Sequence, residues 1–115
     1  MKNFNVIALT LVLLPLRMAF AVDTQCGPFL LSPGSDGLMR INNAKPETQK
    51  LTFLKEKEDY RNIKMQWMVP TNAPGKWYGM DYVKKNGKAI LNVQLVQANM
   101  NAPRVYGSYD CQKIK

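Results

Sequence analysis

The chain has 115 residues, 46% of them hydrophobic, and carries 16 Lys and Arg against 8 Asp and Glu, a net charge of +8 with no histidine. The missing histidine excludes Ser-His-Asp and Cys-His nucleophilic catalysis and every His-containing zinc site. No internal repeat, low-complexity block or second long hydrophobic run is present, and the length suits one domain with one core.

Residues 1–21, MKNFNVIALTLVLLPLRMAFA, read as a secretory signal peptide. Lys2 gives the basic start, an apolar run follows from Phe4 to Leu16, and Ala19-Phe20-Ala21 forms a small-x-small cleavage pattern. The run is shorter than the roughly 20 apolar residues a membrane span needs, and Arg17 interrupts it. Cleavage after Ala21 is therefore expected, with no transmembrane anchor after processing. The Asp-Thr-Gln before Cys26 lacks the small and apolar residues of a lipid-attachment signal. The processed chain is Val22–Lys115, a single small domain, in which 14 basic side chains face 8 acidic ones for a net charge of +6. Such a protein is expected in the periplasm or secreted.

Only two cysteines occur, Cys26 and Cys111, near opposite ends of that domain. In an oxidising compartment an isolated even pair becomes a structural disulfide, and no C-x-x-C redox spacing exists here. The bridge requires the first and last strands to lie side by side.

Turn signals recur at SPGSDG (32–37), NNAKPE (42–47), PTNAPG (70–75), Asn86-Gly87 and QANMNAP (97–103), with short β-branched and aromatic runs between them. The pattern predicts a mainly β domain, a small antiparallel barrel or sandwich of about six to seven strands. The strands are expected near 26–31, 37–42, 49–55, 62–69, 76–85, 88–96 and 104–112. Residues 46–61 fit two forms, a strand followed by a charged turn or a short helix beginning at Pro46. The alternating charges from Lys55 to Asp59 suit a solvated turn, and they lack the ligand spacing and glycine of a calcium loop. In NIKMQWMVP, alternation places Ile63, Met65, Trp67 and Val69 on one apolar face.

Asn86-Gly87 predicts a two-residue type I′ turn, since both central positions need positive φ. The register that follows pairs Lys85 with Lys88, Val83 with Ile90, Met80 with Val93 and Trp77 with Val96. One face then carries Tyr78, Met80, Tyr82, Leu91, Val93 and Leu95 and is assigned to the core. The other carries Trp77, Gly79, Asp81, Val83, Lys85, Lys88, Ile90, Asn92, Gln94 and Val96. Trp77 with Val83 and Ile90, flanked by Lys76, Lys85 and Lys88, is the candidate binding surface if nothing covers that face.

No catalytic constellation emerges. Ser32, Ser35 and Ser108 stand in no nucleophile motif, no glycine loop cradles phosphate, and Asp81 and Asp110 fall on different strands. No metal, cofactor or catalytic residue is assigned, and the chain is not expected to be an enzyme. Nucleic acid is not expected as a partner of an exported chain, although lysines interleaved with aromatics are its general signature. In outline the domain is similar to periplasmic lysozyme inhibitors. Their Ser-x-x-Gly-x-x-Tyr-like loop has no counterpart here, and a basic domain suits a basic enzyme poorly, so no family and no site are transferred. Binding to another envelope or secreted protein, as inhibitor, immunity or accessory factor, is the expected function. The alternatives are attachment to an anionic envelope surface through net charge and a structural or stress-related role without a ligand.

Overall fold

The structure, a computed structural model, describes residues 23–99, 101 and 105–114, so the expected signal segment lies outside the described residues. These residues form eight strands: β1 (Asp23–Cys26), β2 (Phe29–Pro33), β3 (Met39–Ile41), β4 (Thr48–Phe53), β5 (Ile63–Pro70), β6 (Lys76–Lys85), β7 (Lys88–Gln97) and β8 (Val105–Ile114). All pair antiparallel in one sheet of order β3-β2-β1-β8-β7-β6-β5-β4. The fold is thus all-β and antiparallel, a curled half-barrel.

One expected strand is two. Residues 26–31 divide at Gly27-Pro28, where a two-residue turn reverses the chain and Cys26 pairs with Phe29. Gly27 takes φ 58°, and a Cβ there would strike the Tyr109 ring. Glycine is thus required both by the turn and by the ring packed on it. The ambiguous 46–61 segment resolves as strand β4 followed by a turn that carries the charge run.

The β6–β7 hairpin has the register that its turn dictates, from Lys85 opposite Lys88 to Lys76 opposite Gln97. Asn86 and Gly87 have φ of 52° and 82°. The loop between β4 and β5 grips this tip. Arg61 Nη2 donates to Asn86 O at 3.0 Å, Gly87 N to Arg61 O at 3.1 Å and Asn86 N to the buried Asn62 Oδ1 at 3.0 Å.

The sheet has to curl. Laid flat, β3 and β4 would stand seven strand spacings apart, about 34 Å. The connection from Ile41 to Thr48 spans seven residue steps and reaches at most about 25 Å. Rolling the sheet brings β2 over β6, and the Phe29 ring meets the Tyr78 ring at 5.4 Å and the Tyr109 ring at 5.9 Å. The enclosed face holds the core: Cys26, Leu31, Ile41, Trp67, Met80 and Leu91 are each at most 3% exposed. Burying an aliphatic side chain of this size stabilises by roughly 1.5–3 kcal/mol.

At the seam the two edge strands are joined by a side chain. Gln49 on β4 accepts from Met39 N on β3 at 2.9 Å and from Trp67 Nε1 at 2.8 Å, and donates to Gly37 O at 3.1 Å. On the opposite side of the roll, Cys26 and Cys111 are ladder partners in β1 and β8 and form a disulfide. In the β2–β3 turn, the Arg40 guanidinium and the Leu38 N–H hold the Asp36 carboxyl down to about 2. A depressed carboxyl contributes stability above its unfolded value of 3.8 and loses it as pH falls toward 2.

Two measurements check this account. Replacing both Cys26 and Cys111 by Ser is expected to lower unfolding stability by about 2–4 kcal/mol in denaturant titration, since the bridge closes 85 residues of chain. Gln49→Leu is expected to cost about 1–3 kcal/mol, because it strands the indole N–H of the buried Trp67.

Candidate functional site

With the core enclosed, strand alternation turns a second set of side chains outward on β4 to β8. The register aligns them in transverse rows. The first is Pro70, Trp77 and Val96. The second is Thr48, Met68, Gly79, Gln94 and Tyr106, and the third is Lys50, Gln66, Asp81, Asn92 and Ser108. A fourth runs Thr52, Lys64, Val83, Ile90 and Asp110, and the hairpin tip ends with Lys85 opposite Lys88.

The middle rows form an open trough of about 1000 Å³. Gly79 lines it with bare backbone between Met68 and Val96, in the interior of a ten-residue strand. Glycine weakens a strand interior and is commonly found where another group approaches the backbone. The third row is polar and internally ordered. Gln66 Nε2 donates to Asp81 Oδ1 at 3.3 Å, and Ser108 Oγ donates to Asn92 Oδ1 at 2.7 Å. Lys50, Asn92 and Ser108 are exposed, so this row offers amide, hydroxyl and ammonium groups to an incoming surface.

The structure places the sequence-derived surface residues in two groups. Trp77 is half-buried at one end of the trough, its indole N–H donating to Glu47 Oε2 at 3.2 Å. Val83 and Ile90 are direct partners at the other end, six residues along β6 and therefore roughly 20 Å from Trp77. Lys85 and Lys88 are exposed at the tip beyond them. Lys76 alternates onto the opposite face and is exposed at the far end of the hairpin. The outer face is thus not one apolar patch: its two apolar ends flank a trough that combines the polar third row with Met68, Val96 and Tyr106. Sequence reasoning had Gly79, Asp81, Asn92 and Gln94 on the right face and gave them no part in the site. The strand-interior glycine was the available signal.

Asp81 and Asp110 stand two strands apart and two residues out of line, roughly 12 Å by ladder spacings. Inverting glycosidases hold their carboxyl groups about 6.5–9.5 Å apart. Among the described residues no three Cys, Asp or Glu gather as a metal-ligand set. What the face can do chemically is donate and accept hydrogen bonds across an open surface with apolar margins.

No protein-family model matches the chain, and no curated protein or solved structure is significantly similar to it, so the site is argued from its own geometry.

Gly79 has no positive φ, and a Cβ there would meet only Val96 Cγ2 at 3.3 Å and Met68 Sδ at 3.7 Å among side chains. Gly79→Val is accordingly expected to raise the floor of the trough while leaving the β circular-dichroism spectrum intact and unfolding stability within about 1 kcal/mol of the parent.

Proposed function

We propose that the chain is an exported, non-enzymatic binding protein of the envelope type that takes another protein on the outer face of β4 to β8. The observation that carries this is the trough itself: a hollow with a bare-backbone floor at Gly79, a polar row beside it, and apolar ends at Trp77 and Val83 with Ile90. The interior offers no comparable place, because its space is taken by Trp67, Met80, Leu91 and the residues β1 to β3 lay against them.

Dimensions favour a protein over a small molecule. Four strand spacings and the eight residue steps from Trp77 to Lys85 span about 19 by 27 Å, roughly 500 Å² of footprint. That is smaller than the ~800 Å² per partner of a standard interface. A protruding loop or strand that enters the trough and rests on both apolar ends makes up the difference. Indole and aliphatic anchors at the ends with hydrogen-bonding groups between them match the division of labour in such interfaces, where a few aromatic residues dominate affinity. The reading carries an inhibitory, immunity or accessory role in the periplasm or outside the cell, and the open trough together with the expected export supports it.

The test is capture from envelope extracts by the oxidised protein at about 0.15 M and 0.5 M salt, run beside Gly79→Val and Trp77→Ala. A specific partner retained at high salt and lost, or weakened at least tenfold, by both substitutions supports the proposal. A partner whose binding ignores both substitutions, or which disappears at 0.5 M salt as a charge-driven complex does, overturns it.

A further inference from the structure

A second cavity, of about 280 Å³, opens at the hairpin-tip end of the roll, on the core-facing side of the sheet and not on the outer face. Thr24 from β1, Tyr82 and Lys84 from β6, Lys88 from β7 and Lys113 from β8 line it, with Cys111 of the disulfide beneath. The fold assembles these groups from distant parts of the chain. Thr24 and Lys113 are ladder partners across the β1–β8 junction. Lys84 is the residue at which core alternation on β6 runs out, two beyond Tyr82 and four beyond the buried Met80.

The charge at this opening is uncompensated. Arg61, fixed on the hairpin tip by its bond to Asn86 O, adds a further cation close enough to oppose protonation of Lys84. Among the described residues, the ion pairs all involve Asp36, on the β2–β3 turn, and no carboxylate lines the cavity. The nearest acid in sequence to Arg61, Asp59, accepts from Arg61 N and Asn62 Nδ2 within its own loop. Burial first, then Lys113 and Arg61, push the Lys84 ammonium below its usual value. Lysines on a solvated face do not carry such a burden. Here three lysines and two hydroxyl-bearing side chains line one small space.

We propose that this opening binds a single phosphate group, with Lys84 and Lys113 as the charged donors and Thr24 and Tyr82 as hydroxyl donors. Donors arriving from three strands suit a tetrahedral oxyanion better than a planar carboxylate, and lysine is a common point-charge ligand for phosphate. The volume, just under the range of drug-sized ligand pockets, holds such a group with room for water or for the atoms next to it. The phosphate belongs either to a free ion or to a lipid headgroup at a membrane surface. The site shares no side chain with the trough except at its margin, where Lys88 stands between the two. It is therefore tested without touching Lys88, and its failure would leave the outer-face proposal standing.

The oxidised protein is titrated with inorganic phosphate and, separately, with phosphatidylglycerol and phosphatidylcholine vesicles. Backbone amide shifts at 84–89 and 111–113 and thermal unfolding are recorded for the parent, Lys84→Gln, Lys113→Gln and, as an outer-face control, Lys64→Gln. Saturable shifts confined to these segments, a melting temperature that rises with phosphate, and at least tenfold weaker binding in Lys84→Gln and Lys113→Gln but not Lys64→Gln support the site. Vesicle binding that needs phosphatidylglycerol and is lost in the same two variants also supports it and identifies the headgroup as the source. Relief of like-charge crowding should also make Lys84→Gln melt higher than the parent without phosphate. If Lys84→Gln fails to fold, Lys113→Gln on the exposed end of β8 decides alone. Neither probe binding, or binding that all three substitutions reduce equally, overturns the proposal.

Discussion

The pairing of β1 with β8 is the constraint on which the rest of the molecule depends. Among the described residues it is the one ladder between strands far apart in sequence, with the disulfide between its facing residues Cys26 and Cys111. Five strands from β4 to β8 form a meander that local turns alone would produce. Their apolar face has nothing to bury against until the β1–β8 ladder delivers Phe29, Leu31 and Ile41 across it. The short link from Ile41 to Thr48 then makes rolling obligatory. Core, trough and basic opening all follow from that roll. The roll encloses one face, leaves the other to solvent, and ends where β6 and β8 run past the last core residues.

How much of this was legible in the sequence depended on whether the signal was local. Asn86-Gly87 fixes a turn, a turn fixes a register, and a register sorts ten residues of β6 and ten of β7 onto faces without any knowledge of the whole. The disulfide was legible because two cysteines allow one pairing. Gly27-Pro28 was equally local and was passed over. The neighbouring Cys26 and the apolar Phe29-Leu30-Leu31 run read as one continuous strand, although Gly-Pro is a turn signal. The helix alternative for 46–61 fell for lack of an apolar stripe, and the structure shows why the stripe is missing: β4 lies at an edge with Leu51 left partly exposed.

The candidate site was legible only as a list of residues on a face. Alternation says that Trp77 and Val83 point the same way. Without the surrounding strands, it does not show that a trough of mixed polar and apolar surface separates them. Met68, Gln94 and Ser108 join the trough from three different strands, and Gln49 acquires its role only when β3 arrives from the far edge. The cavity at the roll's end is non-local in the same way. Lys84 and Lys113 are 29 positions apart, and each alone is an ordinary lysine near a strand end.

Gln49 gives the roll an unusual mechanical property. A fully hydrogen-bonded cylinder has a fixed circumference, and any added interior volume must be absorbed by strained rotamers. This one is a split ring whose ends are fastened by the amide of one flexible side chain. Widening at the cut would stretch these side-chain bonds and break no backbone ladder. Residues lining the cut, such as Met39 and Leu51, should therefore tolerate bulkier replacements in evolution than Leu91 or Met80 at the centre of the ladders, where there is no gap to give.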